Sequence, residues 1–166
     1  MANEHEKKLS HLTDQGTAQM VNVGSKPDSA RTAKAAGLIT MAKDTLALIQ
    51  EGKIKKGEVF TVARLAGINA AKNTWNLIPL AHQIPLHQIS VDFEITGNEG
   101  ELRIIGEAST DYKTGVEMEA LTAVNIAALT IYDMCKAVDR GMIISDIHLV
   151  EKTGGTHGDF NSAIKE

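Results

Sequence analysis

Residues 116–138 read VEMEALTAVNIAALTIYDMCKAV, and the thirteen residues between Glu119 and Asp133, ALTAVNIAALTIY, carry no formal charge. Apolar around nearly its whole circumference, this stretch is predicted to be one long and mostly buried helix. Just upstream, Ile89, Val91, Phe93 and Ile95 alternate with Ser90, Asp92, Glu94 and Thr96, and Gly97-Asn98-Glu99-Gly100 leads into Leu102 and Ile104. That is the pattern of a β-hairpin. Downstream, residues 143–150 are strand-like and end in the loop Thr153-Gly154-Gly155. Towards the N-terminus, the Ala-rich residues 57–75 form a second helix in which Gly67 allows close packing. A shorter helix over residues 42–50 is stopped by Gly52 and fed by extended segments at residues 19–23 and 31–41. Extended segments followed by helix, hairpin, helix and strand predict an α+β fold, an antiparallel sheet covered by helices on one face.

At 166 residues, 43% hydrophobic and 23% charged, the chain suits one globular unit with its own core. A flexible segment over residues 1–16, a single catalytic domain over 17–160 and a flexible tail over 161–166 are expected. Seventeen basic against 21 acidic residues, a formal charge of -4, excludes a general nucleic-acid binder. The single cysteine, Cys135, excludes an internal disulfide and points to a reducing compartment. Residues 1–10 are polar, and no stretch reaches the roughly 18 apolar residues of a spanning helix, so a cytoplasmic location without membrane partner is expected.

Three features can carry chemistry. At the end of the long helix Asp133 meets Lys136 three residues on, on the same face, and the two are expected to share a pocket, although a pairing in solvent with Lys136 or Arg140 is the common behaviour of such residues. Glu117 and Glu119 sit near the helix N-terminus, where the dipole favours acids without catalytic duty, and two residues apart they do not share a face. In the apolar loop 77–86, LIPLAHQIPL, two prolines fix the backbone around His82, which is either an acid–base group or a packed histidine satisfied by a carbonyl. A metal held by His82 and His87 matches no standard ligand spacing. Finally, Lys56-Gly57, Lys72, Lys113-Thr114-Gly115 and Lys152-Thr153-Gly154-Gly155 combine cations with pliable backbone, a means of holding phosphate. Neither a Walker A motif nor GxGxxG is present, and Ser162-Ala163-Ile164-Lys165 lies after both KTG copies, out of order for a serine β-lactamase.

Taken together, Ala66-Gly67-Ile68, Ala71-Lys72, Leu77-Ile78-Pro79-Leu80, the run from Lys113 through TGVEMEALTA to Ala123 and the run LTIYDMCKAV from Leu129 to Val138 resemble the cyclic pyranopterin monophosphate synthase family of molybdenum cofactor biosynthesis. The resemblance covers about residues 20–160. It implies a ferredoxin-like fold and a homohexamer built as three dimers, with active sites shared between subunits. It also implies a lyase acting on 3′,8-cyclo-7,8-dihydroguanosine triphosphate to give cyclic pyranopterin monophosphate and pyrophosphate. Position by position, Asp133 and Lys136 fall on the family's catalytic pair and Lys56 on its lysine before Gly-Asp/Glu-Val. Leu80, Ala81 and His82, with Met118 and Glu119, fall on substrate-contacting stretches, and Glu117, Lys72 and Lys152 on further pocket positions. The proton transfers suit Asp133, Lys136 and His82, and the phosphate charge suits Lys56, Lys72 and Lys152. No cofactor is required by this reading, no residue is assigned to a metal, and Mg²⁺ enters only as a companion of the triphosphate.

The chain departs from the family where LCHP is usual: it carries Leu80-Ala81-His82-Gln83, without the cysteine and with the proline moved to Pro85, which predicts altered loop packing. Asn73 stands where a basic residue is common. Two rival readings are a scaffold that binds without catalysis, which would release no pyrophosphate, and a metal-dependent hydrolase using Glu117, Glu119 and His82, which chelation would silence.

Overall fold

The computed structural model describes residues 11–13, 15–156 and 158–162. Its elements run β1 (Ser29–Thr40), α1 (Lys43–Gln50), α2 (Val59–Lys72), α3 (Thr74–Leu77), β2 (Gln88–Ile95), β3 (Glu101–Tyr112), α4 (Glu117–Cys135), β4 (Ile143–Thr153) and β5 (Phe160–Asn161). The sheet is antiparallel with order β2-β3-β1-β4-β5. Strand, helix, hairpin, helix and strand in this order, with β1 and β3 at the centre, is the ferredoxin-like α+β arrangement. The hairpin is where alternation placed it, with Val91 opposite Gly106 and Ile95 opposite Leu102.

Helices α2 and α4 lie side by side on one face of the sheet, and the core between the two layers is built from Ala35, Ile39, Val91, Leu102, Ile104, Ala120, Ala123, Val124, Ala127 and Ile131. So many alanines allow backbones to approach closely. A Cβ at Gly67 would lie 2.8 Å from the Ala123 carbonyl oxygen and 3.0 Å from Val91, so α2 rests on α4 at van der Waals distance because position 67 has no side chain. At Gly106 in β3 a Cβ would come within 2.9 Å of Val124 and 3.0 Å of the Ala120 carbonyl oxygen. The predicted close packing at Gly67 is thus met, and the sheet repeats the device beneath α4.

Boundaries differ from the sequence reading where side chains intercept the backbone. The helix expected over residues 57–75 divides into α2 and α3, because the Asn73 amide donates to the Asn69 carbonyl (2.8 Å) and closes α2. The long helix stops at Cys135, where the N–H groups of Val138 and Asp139 both turn back to the Cys135 carbonyl. Asp139 then accepts from the Ala42 N–H (2.8 Å) and ties the end of α4 to the start of α1. The expected extended segment 19–23 joins no strand. Part of the segment read as flexible, residues 11–13 with 15 and 16, belongs to a turn closed by the Gln19 N–H on the His11 carbonyl and a Leu12–Ala18 bridge. Asn161, assigned to the tail, pairs with Glu151 in β5. Residues 1–10 and 163–166, which hold the rest of both ends and most of the SxxK stretch, lie outside the described residues. No helix among the described residues is long and apolar enough to cross a membrane.

Candidate active site

Most of the candidate side chains gather at the two ends of α4. At its C-terminal end, Asp133 holds two lysines: Lys136 Nζ lies 2.6 Å from Oδ1 and Lys56 Nζ 2.8 Å from Oδ2. Lys136 is the residue that ends the helix, one turn beyond Asp133. Lys56 comes from the turn between α1 and α2, pinned by the buried Ile54 and closed by the Gly57 N–H on the Ile54 carbonyl (3.0 Å). The Lys56 ammonium also donates to the Asp133 main-chain carbonyl (2.8 Å), one of the acceptors a helix leaves open at its C-terminus. Asp133 is therefore half exposed rather than buried, with two cations on one carboxylate. Lys136 first and Lys56 second hold its carboxyl down at about 2, so at neutral pH it is a fixed anion that aims ammonium groups. The neighbouring Cys135 is fully buried and burial pushes its thiol up to about 11, which makes it a core residue without nucleophilic character.

At the N-terminal end of α4, a cavity of about 230 Å³ is lined by Leu80, Ala81, His82, Glu117, Met118 and Glu119, together with His11, Ile78, Ile84, Thr114 and Gly115. The loop that carries His82 is anchored downstream by a hydrogen bond from the Thr110 hydroxyl to the Pro85 carbonyl (2.6 Å) and by the His87 N–H on Ser109 (2.9 Å). Pro85 thus supplies a fixed point on β3, which locates the loop although the proline is displaced. The Nε2 atom of His82 is 2.8 Å from the Val21 carbonyl oxygen. Glu117 and Glu119 diverge as their spacing requires. Glu117 pairs with Lys152 of β4 (2.8 Å), while Glu119 is only 3% exposed. Burial, with the Glu117 charge beside it and against a hydrogen bond from its own backbone N–H, pushes the Glu119 carboxyl up to about 7. A carboxyl of that kind can give and take protons near neutrality, which Asp133 cannot.

The two clusters do not meet within one chain. Glu119 and Asp133 are at opposite ends of α4, and at about 1.5 Å per residue they are roughly 20 Å apart. The expectation that Asp133, Lys136 and His82 face one small cavity is therefore not fulfilled by a single copy. Lys72 lies in a neighbouring cavity of about 330 Å³ with Ile68, Ile84, Leu86 and His87, sharing only the Ile84 wall with the first. Lys152 enters through its pair with Glu117. Sequence reasoning missed His11 and the Val21 carbonyl; the one local sign was Asn22-Val23-Gly24, which folds as a turn with the Asn22 side chain accepting from the Gly24 N–H (2.9 Å). Among the described residues, no group of three or more His, Cys, Asp and Glu side chains is placed to hold a metal ion.

The MoaC family model matches residues 20–155 of this chain. A cyclic pyranopterin monophosphate synthase from Clostridium perfringens (strain 13) is 53% identical over 156 residues, covering 94% of this chain and 99% of its own. Proteins of the same name from Parvibaculum lavamentivorans and Peptoclostridium acidaminophilum are 51% and 50% identical over 94% and 92% of this chain, and 98% and 96% of their own.

Proposed function

The chain belongs to the MoaC family, and from that membership and the geometry at the ends of α4 we propose that it is a cyclic pyranopterin monophosphate synthase whose active site is completed by a second copy of itself. It is a lyase of molybdenum cofactor biosynthesis, converting 3′,8-cyclo-7,8-dihydroguanosine triphosphate to cyclic pyranopterin monophosphate with release of pyrophosphate. The observation that carries the division of roles is the single Asp133 carboxylate clamping Lys56 and Lys136 within 2.8 Å. A triphosphate that loses pyrophosphate while a cyclic phosphate closes needs its charge held at fixed positions, and a carboxylate locked as an anion holds both ammonium groups there. Lys152, paired with Glu117, stands at the edge of the His82 cavity, and Lys72 brings its charge to the neighbouring cavity across Ile84. Opening the guanine-derived ring and closing the pyranopterin needs proton transfer, which falls to His82 and Glu119, with Leu80, Ala81 and Met118 as the walls against which the ring system lies.

The second copy unites the two halves. Met118, Asn125, Leu129 and Asp133 are exposed along one side of α4, and Val62 and Leu65 are exposed on the neighbouring α2, so that apart from Asp133 these residues are uncharged and mostly apolar. Two copies packed with their α4 helices antiparallel, crossing near Asn125, bring Asp133 of one beside Met118 of the other, since the two positions lie about equally far on either side of that crossing. Three such dimers make the hexamer. In this reading the protein works in the cytoplasm as a domain spanning residues 17–160, and Mg²⁺ arrives with the triphosphate and is not resident.

The test is incubation of the purified protein with the cyclic triphosphate. Stoichiometric pyrophosphate and the cyclic pterin product are expected, and Lys56→Ala should lower kcat by about 10² or more. Binding without pyrophosphate release would contradict the assignment. Treatment with a chelator should leave Tm unchanged; a drop would mean that an ion is part of the fold.

A further inference from the structure

The chain ahead of β1 meets the His82 cavity, its histidine and the residue next to its wall. His11 lines it; the Val21 carbonyl oxygen meets His82 Nε2 at 2.8 Å; and the Gly24 carbonyl accepts from Lys113 Nζ at 2.9 Å, next to Thr114 in the cavity wall. This segment is built. The Thr13 and Thr17 hydroxyls bond at 2.8 Å, the Asn22 turn follows, and the Lys26 N–H closes on the Val23 carbonyl at 3.1 Å.

A carbonyl oxygen can only accept, so the bond to Val21 requires the hydrogen on Nε2 and leaves Nδ1 of the neutral ring with its lone pair. Nδ1 makes no hydrogen bond among the described residues. Resting on the activity proposed above, we infer that residues 11–13 and 15–24 form a strap that fixes His82 as the Nε2–H tautomer, so that Nδ1 is the atom exchanging a proton with bound substrate. In that step an N–H or O–H bond of the substrate breaks, its electron pair stays on the substrate, an Nδ1–H bond forms, and the same proton is returned later to the product. The imidazolium formed in between keeps its Nε2–H bond to Val21, which orients the ring throughout. The Val21 carbonyl is a positioning group, as the partner of a ring nitrogen commonly is, and because it belongs to the main chain it leaves no mark in the side-chain sequence. Lys113 is the strap's anchor.

The test reads the ring directly in ¹⁵N-histidine-labelled full-length protein, by magnetic resonance at a pH where His82 is neutral, with His82→Gln to assign the signal. The wild type should show Nε2–H alone. Lys113→Met, which frees the Gly24 end, should show a ring pattern averaged between tautomers and a kcat lower by about fivefold, one ordinary hydrogen bond, with KM moved less and Tm unchanged; Lys113→Arg should restore both. A protonated Nδ1 in the neutral wild-type ring, or a wild-type ring pattern and kcat in Lys113→Met, overturns the inference. Because the ring pattern belongs to the resting protein, it judges the strap even if the wild type released no pyrophosphate, a result that would sink the proposed activity instead.

Discussion

Asp133 and Glu119 are carboxyls on one helix pushed in opposite directions. Asp133, held at about 2 by Lys136 and Lys56, lies below its unfolded value, so its contribution to stability is present above about pH 4 and is lost as pH falls towards 2. Carboxyl titration followed by NMR should place it near 2, and Lys136→Ala should raise it most; an ordinary carboxylate value in the wild type would remove the clamp. Glu119, held at about 7, lies above its unfolded value, so ionising it as pH rises from about 4.5 through 7 costs stability, up to about 3 kcal/mol. Glu119→Gln should therefore stabilise the protein against denaturant at pH 8 and much less at pH 5, and equal effects at both would show that burial does not govern this group. Spacing alone identified the Asp133–Lys136 pair, because i and i+3 meet on any helix. The i, i+2 spacing told that the two glutamates diverge, but the depth of Glu119 was not legible, since an acid in a first turn is ordinarily solvated and only the folded structure shows which of the two is buried and which pairs with Lys152.

At the scale of elements, the hairpin and α4 could be read directly because period 2 and an uncharged helical run each admit one interpretation. The splitting of α2 could not be, since it turns on the Asn73 side chain reaching back to Asn69. The strap escaped for a related reason: it is held by main-chain carbonyls, to which periodicity is blind. Gly67 is the element-scale test. A Cβ there meets the Ala123 carbonyl oxygen at 2.8 Å, a backbone atom that cannot step aside. Gly67→Ala should push α2 off α4 and cost about 1–3 kcal/mol in denaturant melts, whereas the same change in an exposed helix would be stabilising. A neutral or stabilising outcome would mean that the two helices are not in backbone contact.

For the whole molecule, the fold was readable from the pattern of the chain, whereas a site shared between subunits came only from the family resemblance, because the two side-chain clusters stand at opposite ends of a 19-residue helix and the proposed second copy is what would join them. The measurement that bears most directly on this is subunit complementation. Asp133→Ala and His82→Ala proteins should each be inactive; unfolded together and refolded as mixed assemblies, they should regain roughly a quarter of wild-type pyrophosphate release, because half of the dimers are mixed and each mixed dimer has one intact site. Mixed assemblies, verified by mass, that remain inactive would contradict a site shared between copies.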